Sequence, residues 1–236
     1  MVCLQIQSAY YYYRNRYHVD YLKKSSNFTE FLTRTDHYEP EDPLRSYTNN
    51  RMSIDLGLPP QQIMNSSYVI TFLQHVNQVF DLILIADRFD ESMILLKRRL
   101  RWTLKDVLYT KLNRRRKENQ KEVPVPPSLR AHFKEFDQFD VALYDYFSEV
   151  FDRAVLREGP GFQEEVNAFG SIEERVQSFC EFHRSQGNVT IPESKWNKQF
   201  VFEAAECEVI AMEEITLDDR AKYWQQERMC SRGCDS

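Results

Sequence analysis

Residues 80–113 read FDLILIADRFDESMILLKRRLRWTLKDVLYTKLN, and this stretch decides which fold the sequence predicts. Its first seven residues, 80–86, form an apolar run that is rich in β-formers and too short to span a membrane. Both faces of the run are apolar apart from Asp81, which is typical of an interior parallel strand covered by helices. The run therefore predicts the strand of a strand–turn–helix unit.

A helix is predicted directly after this strand. Either Asp87 or Asp90 is a suitable N-cap, because a carboxylate accepts hydrogen bonds from the first amides of a helix. Apolar residues then recur at helical spacing and form a stripe that we expect to pack on the strand: Phe89, Met93, Leu96 and Leu100. Cations end the helix, where they suit its dipole: Lys97, Arg98, Arg99 and Arg101.

The composition is that of a folded domain. The chain has 236 residues, of which 42% are hydrophobic and 14% aromatic, so it holds enough apolar surface for a core and is not a disordered protein. The net charge of −5 argues against a nucleic-acid partner, although cations clustered at 97–101 and 111–117 leave a local anion contact open. The sequence contains neither a transmembrane segment nor a signal peptide at its N-terminus, MVCLQIQSAYYYY.

Helical patterns continue on both sides of the opening stretch. Helices are predicted at residues 8–18, 27–33, 42–58, 66–79, 103–112, 128–157 and within 158–186. The helix at 27–33 has Asn27 or Ser26 as its cap, and the helix at 42–58 has Pro43 at its first position and Gly57 at its end.

The chain between and after these helices is polar. Residues 114–127, RRRKENQKEVPVPP, are predicted as a surface loop or linker, whose basic run is either solvated or in contact with an anionic partner. The patterning weakens from Ser194 onward. We therefore predict a domain at residues 1–190 and a polar, loosely packed tail at residues 191–236.

Three sequons favour a protein of the secretory route, with unused sequons as the alternative. In each, an asparagine is followed two positions later by serine or threonine, with no proline between them: Asn27, Asn65 and Asn188. Of the five cysteines, Cys180 and Cys207 are a candidate disulfide. Because the number of cysteines is odd, at least one thiol stays unpaired within the chain. Cys230 and Cys234 lack a second ligand pair at zinc spacing, so no metal site is predicted.

The motifs that would name a reaction by themselves are missing. The sequence contains no Walker-type loop, GxGxxG, HExxH or GxSxG. Its histidines are scattered and are interpreted as surface or capping residues: His18, His37, His75, His132 and His183. His75 lies in an otherwise apolar predicted helix, where either a functional role or a satisfied core histidine would explain it.

The opening stretch resembles the galactose 3-O-sulfotransferase family, whose pattern here is FxLVxIADYFDESLVLLxxLLxWxLxDVLYxxLN. The chain matches it at the following positions: Leu82, Ile85, Ala86, Asp87, Phe89, Asp90, Glu91, Ser92, Leu95, Leu96, Trp102, Leu104, Asp106, Val107, Leu108, Tyr109, Leu112 and Asn113. It departs at Arg88, where the family tends to an aromatic residue. Residues 50–57, NRMSIDLG, are similar to the family's NxMxFDLG segment, and residues 143–147, LYDYF, resemble its LYxxFN helix.

The resemblance implies a sulfuryl donor, 3′-phosphoadenosine 5′-phosphosulfate (PAPS). Family members hold its 5′-phosphosulfate in a KTGSS-like loop, which this chain does not contain, and its 3′-phosphate with an Arg and a Ser of an RDPVxxFESSFxYY segment. Gln5, Ser8 and residues 10–13 fit the end of that segment, so Ser8 is the implied cofactor-binding residue and an ordinary helix N-cap is its alternative. No residue of the chain inherits the catalytic base, so the catalytic residues are unknown.

We therefore predict an α/β sulfotransferase (P-loop NTPase-like) fold, present as its helix-rich C-terminal portion with few parallel strands. The implied reaction transfers sulfuryl from PAPS to the 3-hydroxyl of galactose in a glycolipid such as galactosylceramide, or in a glycan. The implied location is the luminal side of the Golgi membrane, with membrane association only through an N-terminal anchor missing from this chain. We expect the chain alone to be inactive, and the alternatives are a catalytically silent paralogue or splice product acting as a binding module, or another carbohydrate sulfotransferase family.

Overall fold

The computed structural model describes residues 2–110, 126–182 and 186–212, together with residue 222. The described chain is rich in helix and carries one small sheet of two strands, which is compatible with the α/β class. It divides into two compact units, one comprising Met1–Ile83 and Arg115–Ala154 and the other Leu84–Arg114 and Val155–Ser236. No helix among the described residues is both long enough and apolar enough to cross a bilayer.

The first unit is built from helices. They are α1 (Val2–Asn15), α2 (Asp20–Lys23), α3 (Phe28–Thr33), α4 (Thr35–Tyr38), α5 (Arg51–Asp55), α6 (Val69–Val79), α8 (Pro127–Phe136) and most of α9 (Gln138–Arg157). The helix α7 (Phe89–Leu100) lies in the second unit. Short 3₁₀ turns lie between them at Pro43–Arg45, Pro60–Gln62 and Ser66–Tyr68. The predicted cap of the helix at 27–33 is confirmed, because the Asn27 Oδ1 accepts a hydrogen bond of 2.9 Å from the Glu30 amide.

Two apolar clusters form the core of this unit. The first contains Ile6, Tyr10, Leu22, Phe28, Phe31, Leu32, Tyr38 and Phe133. The second contains Leu58, Ile63, Phe72, Val76, Phe139, Leu143 and Phe147. The first cluster explains why α1 is rich in tyrosine, because Tyr10 is fully buried and its hydroxyl is satisfied by the Ser25 Oγ at 2.8 Å.

Two predicted helices of this unit are interrupted, and the interruptions support each other. The segment 42–58 breaks at Asn50, which has a left-handed backbone with φ 47°, and the segment 128–157 breaks at Asp137. The Asn50 Oδ1 accepts from the Phe139 amide at 2.7 Å and so caps α9, while the Asp140 Oδ1 accepts from the Ser53 amide at 2.7 Å and so caps α5. Each helix end thus receives a cap from the other chain segment.

The second unit joins two antiparallel strands to three helices. Its elements are α7 (Phe89–Leu100), α10 (Phe162–Phe182), β1 (Asn188–Ile191), β2 (Phe200–Glu203) and α11 (Ala204–Ile210). β1 pairs with β2, with Asn188 opposite Glu203 and Ile191 opposite Phe200. The few parallel strands that we predicted are therefore a wrong prediction for the described residues, whose one sheet is antiparallel.

The interior strand predicted at residues 80–86 is not formed. The chain is extended here, but it pairs with no other strand among the described residues, and Phe80 is 41% exposed. The buried backbone of Ile85 is satisfied instead by a side chain, because the Ser92 Oγ accepts from the Ile85 amide and donates to the Ile85 carbonyl, both at 3.0 Å. An apolar run becomes a strand only where a neighbouring strand is available to bond it.

The predicted α7 follows this segment, but its buried face is not the predicted stripe. Phe89 and Leu100 are exposed, whereas Ser92, Ile94 and Leu95 are buried. The helix packs against α10, and the side of the helix that faces Ile85 is the one that carries Ser92. The predicted stripe therefore points partly to solvent.

The chain around 103–112 and beyond residue 194 also differs from the sequence prediction. The predicted helix at 103–112 is a single 3₁₀ turn, Lys105–Val107, and residues 111–112 lie outside the described residues, as does most of the predicted linker at 114–127. The described part of the predicted tail, residues 191–212, is more ordered than expected, since β2 and α11 bury Phe202 and Ala204. The predicted disulfide is confirmed, and Cys180–Cys207 joins α10 to α11. The domain boundary at residue 190 stays a prediction.

Candidate functional site

Ser8 lies inside α1 rather than in its first turn. The helix begins at Val2, so the N-cap alternative for Ser8 is wrong, and so is the predicted start of the helix at residue 8. Ser8 shares the exposed side of α1 with Tyr12 and Asn15, while Ile6 and Tyr10 face the core. The side chain is thus open to a ligand, and its assignment to the donor phosphate stays a prediction.

The cations at the end of α7 serve the interior of the second unit. Glu165 is 1% exposed, and its Oε1 accepts from the Lys97 Nζ at 2.6 Å while its Oε2 accepts from the Arg98 Nε at 2.7 Å. Arg98 also donates to Glu158 at 2.7 Å and lies 5.2 Å from the centre of the Phe162 ring. A buried carboxylate requires such partners, so these two cations hold α7 to α10 instead of forming an anion site.

An open cleft of about 540 Å³ lies between the start of α7 and the exposed side of α10. Its lining comprises Asp87, Arg88, Phe89, Asp90, Glu91, Gln163, Val166, Asn167, Gly170, Ser171 and Glu174. Within it, the Asp90 Oδ1 accepts from the Tyr109 hydroxyl at 2.7 Å, and the Arg88 guanidinium donates to both oxygens of Glu91 at 2.6 and 2.8 Å. The family-like segment at 87–91 thus forms one wall of a polar cleft.

The opposite wall was not predicted from the sequence. It is a polar stripe on α10, in which the Gln163 Nε2 donates to the Asn167 Oδ1 and the Ser171 Oγ donates to the Asn167 carbonyl, both at 3.1 Å. Because these residues recur every four positions opposite the buried stripe of α10, the pattern was present in the sequence, but a solvated helix face would produce the same pattern. Only the position of the 87–91 segment reveals the cleft.

A second group of carboxyls is buried in the first unit. Burial raises the pKa of Asp137 well above its ordinary value, and the neighbouring Asp140 adds to this effect. Burial raises the pKa of Asp140 and also raises the pKa of Glu39 to about 7, although Ser46 and Thr48 oppose the latter shift through hydrogen bonds. The hydrogen bonds of Asp140 show it to be a structural cap, so we do not assign this group to the reaction.

The asparagines of all three sequons are exposed. Asn27 caps α3, Asn65 accepts a hydrogen bond of 2.6 Å from the Ser67 hydroxyl of its own sequon, and Asn188 begins β1. Exposure is the condition that the sequons need for modification, so all three stay candidate glycosylation sites.

The histidines do not assemble a site. His75 is exposed on α6, which removes the core-histidine interpretation, and the His132 Nε2 lies 3.0 Å from the Thr35 Oγ1. His183 lies outside the described residues. Among the residues that are described, no three His, Cys, Asp or Glu side chains are grouped to hold a metal ion.

Comparison with known proteins identifies the family. The family model described as galactose-3-O-sulfotransferase matches residues 2–190. Galactose-3-O-sulfotransferase 3 of Mus musculus is 34% identical over 125 residues, which are 52% of this chain and 29% of that protein. Galactosylceramide sulfotransferase of Homo sapiens is 34% identical over 164 residues, which are 67% of this chain and 38% of that protein.

The match covers most of this chain but a smaller part of its relatives. Galactose-3-O-sulfotransferase 2 of Sus scrofa is 31% identical over 180 residues, 75% of this chain and 44% of that protein. The chain thus spans less than half the length of these curated relatives, and no solved structure matches it significantly. With the family model covering residues 2–190, the chain belongs to the galactose-3-O-sulfotransferase family.

Proposed function

We propose that this chain forms part of an enzyme that transfers a sulfuryl group from PAPS to the 3-hydroxyl of galactose in a glycolipid or glycan. The observation that carries the proposal is the family match over residues 2–190, which includes the stretch at 80–113. In this reaction a base takes the proton of the 3-hydroxyl while its oxygen bonds to sulfur. The bond between sulfur and the nucleotide oxygen breaks, and 3′-phosphoadenosine 5′-phosphate leaves.

The fold and the donor contact form part of the same proposal. The family match supports the sulfotransferase (P-loop NTPase-like) fold, and the exposed position of Ser8 on α1 supports a hydrogen bond from its hydroxyl to the 3′-phosphate. We assign the base to no described residue. Because the 236 residues contain no KTGSS-like loop, we expect the purified chain to form no sulfated product from radiolabelled PAPS and galactosylceramide.

We also propose that the protein acts in the lumen of the Golgi and is itself tethered to the membrane. Two features support this location: the Cys180–Cys207 disulfide and the exposed asparagines at 27, 65 and 188. Disulfides persist in oxidising compartments, and N-glycans are added on the luminal side. We expect an endoglycosidase to lower the apparent mass of the expressed protein. It should not change the mass of a variant that combines Asn27→Gln, Asn65→Gln and Asn188→Gln.

A chimera tests the activity. The 164-residue matching region of human galactosylceramide sulfotransferase is replaced by its counterpart from this chain, and sulfate transfer from PAPS to galactosylceramide and to a galactosyl glycan is measured. We expect transfer to at least one of the two acceptors. A glycosylated, monodisperse chimera that sulfates no galactoside would contradict the proposal and favour a catalytically silent binding module.

A further inference from the structure

The cleft between residues 87–91 and α10 has an electrostatic character that suits a neutral polar ligand. Four of its lining residues are carboxylates, namely Asp87, Asp90, Glu91 and Glu174, and one is a cation, Arg88. Arg88 is engaged by both oxygens of Glu91, so it does not offset the remaining acids. The carboxylates would repel an anion such as the sulfuryl donor, so we do not assign the donor to this cleft.

The hydrogen-bonding groups of the cleft match the surface of a sugar. Gln163 and Asn167 present planar amides, each with donors and an acceptor, and their mutual hydrogen bond of 3.1 Å orients both. Ser171 lies one turn further along the same side of α10. A pyranose carries neighbouring hydroxyls that both donate and accept, so amides and carboxylates along one wall can bind them in pairs.

An aromatic ring completes the lining. Phe89 is 39% exposed at the cleft, although it begins a helix whose interior positions are buried. Its ring lies edge-on to that of Tyr109, with centroids 4.5 Å apart, and the Tyr109 hydroxyl is fixed by its hydrogen bond of 2.7 Å to Asp90. A ring held in this way offers a rigid apolar surface to the C–H face of galactose.

We propose that this cleft binds the galactose ring of the acceptor, an inference that rests on the proposed function. Its volume of about 540 Å³ lies within the range of small-molecule sites, about 300–1,000 Å³, and exceeds the space of one ring. The extra space and the open mouth fit a sugar that continues into a glycan or lipid. In this assignment Gln163 and Asn167 bind ring hydroxyls, and Phe89 packs against the ring.

Two matched glutamines on α10 test the assignment. The Gln163 Nε2 donates to the Asn167 Oδ1 four residues on, and the Gln177 Nε2 donates to the Glu181 Oε1 four residues on, both at 3.1 Å. Gln163 lines the cleft and Gln177 does not. Each variant removes a side-chain amide and its bond to a residue four positions on, which is the Asn167 amide for Gln163→Ala and the Glu181 carboxylate for Gln177→Ala, and only Gln163→Ala changes the lining of the cleft.

Binding is measured by saturation-transfer NMR on the full 236-residue chain, with methyl β-galactoside at up to about 50 mM, above the millimolar range of weak complexes. We expect wild type and Gln177→Ala to bind equally. Gln163→Ala should bind about three- to tenfold more weakly, as the loss of one hydrogen bond predicts. Phe89→Ala should also bind more weakly, and melting temperatures identify any loss that comes from misfolding.

Several results would overturn the assignment. They are no saturation transfer to the wild type, equal weakening by both glutamine variants, displacement of the galactoside by 3′-phosphoadenosine 5′-phosphate, or a requirement for Ca²⁺, which would make the cleft a cation site. Placing Gln163→Ala in a chimera that carries residues 2–190 of this chain separates this inference from the proposed function. If the chimera sulfates galactosides and Gln163→Ala leaves its KM for the galactoside unchanged, the proposed activity stands but the cleft does not bind the acceptor.

Discussion

Glu165→Gln should strongly destabilise the second unit. The carboxylate is 1% exposed and accepts from Lys97 at 2.6 Å and from Arg98 at 2.6 and 2.7 Å. The amide keeps the volume and one acceptor oxygen but loses the charge, which leaves Lys97, whose side chain is 15% exposed, beside a neutral group. Removing one partner of a buried ion pair costs about 3–5 kcal/mol.

The lower end of that range applies here. Arg98 keeps its contact of 2.7 Å with Glu158, and both of those side chains retain solvent access, so only part of the positive charge loses its partner. We therefore expect a loss of about 3 kcal/mol in the free energy of unfolding. For a chain of this size such a loss lowers the melting temperature by about 6–12 °C.

The neighbouring residue provides the control. Glu164 lies on the same helix and pairs with Lys195 at 3.1 Å, but the two side chains are 65% and 69% exposed. Glu164→Gln should therefore cost less than about 1 kcal/mol. Both variants are compared by urea titration and by thermal melts, with circular dichroism of the folded state. Equal losses for the two substitutions would refute the assignment of Glu165 as a buried charge that needs its partners.

Three further perturbations test other parts of the fold. Leu95→Ala should cost about 2–5 kcal/mol and Leu96→Ala distinctly less, because Leu95 is 4% exposed and Leu96 only partly buried; a larger loss for Leu96→Ala in urea titrations would restore the stripe predicted from the sequence. Burial raises the pKa of Glu39 to about 7, so the carboxyl prefers its protonated form when folded, and the free energy of unfolding should fall as the pH rises from about 4.5 to 7. The free energy of unfolding should fall by about 2 kcal/mol, since the residue keeps some solvent access. If a Glu39→Gln variant showed the same pH dependence as wild type, Glu39 would not be its cause. Cys180→Ser opens the disulfide to Cys207, 27 positions away, and should cost about 3–4 kcal/mol; an unchanged urea midpoint for this variant would show that the bridge adds no stability.

Local chemistry and the Cys180–Cys207 pair were predictable from the sequence, and the other long-range partners were not. The Asn27 cap depends on an amide three residues away, and the sequence alone identified Asn27 as one of two candidates, beside Ser26. The break at Asn50 depends on groups 86 to 90 positions further along the chain, in α8 and α9, so the sequence predicted one continuous helix where the structure has two short pieces. The same limit explains the missing strand at 80–86, because an apolar run does not reveal whether a partner strand lies beside it, and no strand among the described residues pairs with it.

The candidate site shows the same division. The resemblance pointed to residues 80–113, of which 87–91 line a cleft, but the amides of α10 were not singled out from the sequence. Their pattern of polar residues is common to solvated helices and to binding walls, and only the opposite wall distinguishes the two. Ser8 illustrates the reverse case, since its residue type and exposure are compatible with the donor phosphate while its place inside α1 excludes the capping role.

The family-like residues of the 80–113 stretch separate into those that bond to the chain itself and those that line the cleft. Ser92 bonds both backbone groups of Ile85, and the Asp106 Oδ2 accepts from the Thr103 amide at 2.8 Å, so local structure accounts for both. Local structure accounts for Phe89 only in part, because its ring packs edge-on against Tyr109 but stays 39% exposed. A phenylalanine at the mouth of a polar cleft is better explained by a ligand with an apolar face, which is why we propose that the acceptor sugar, rather than the donor, binds beside α7.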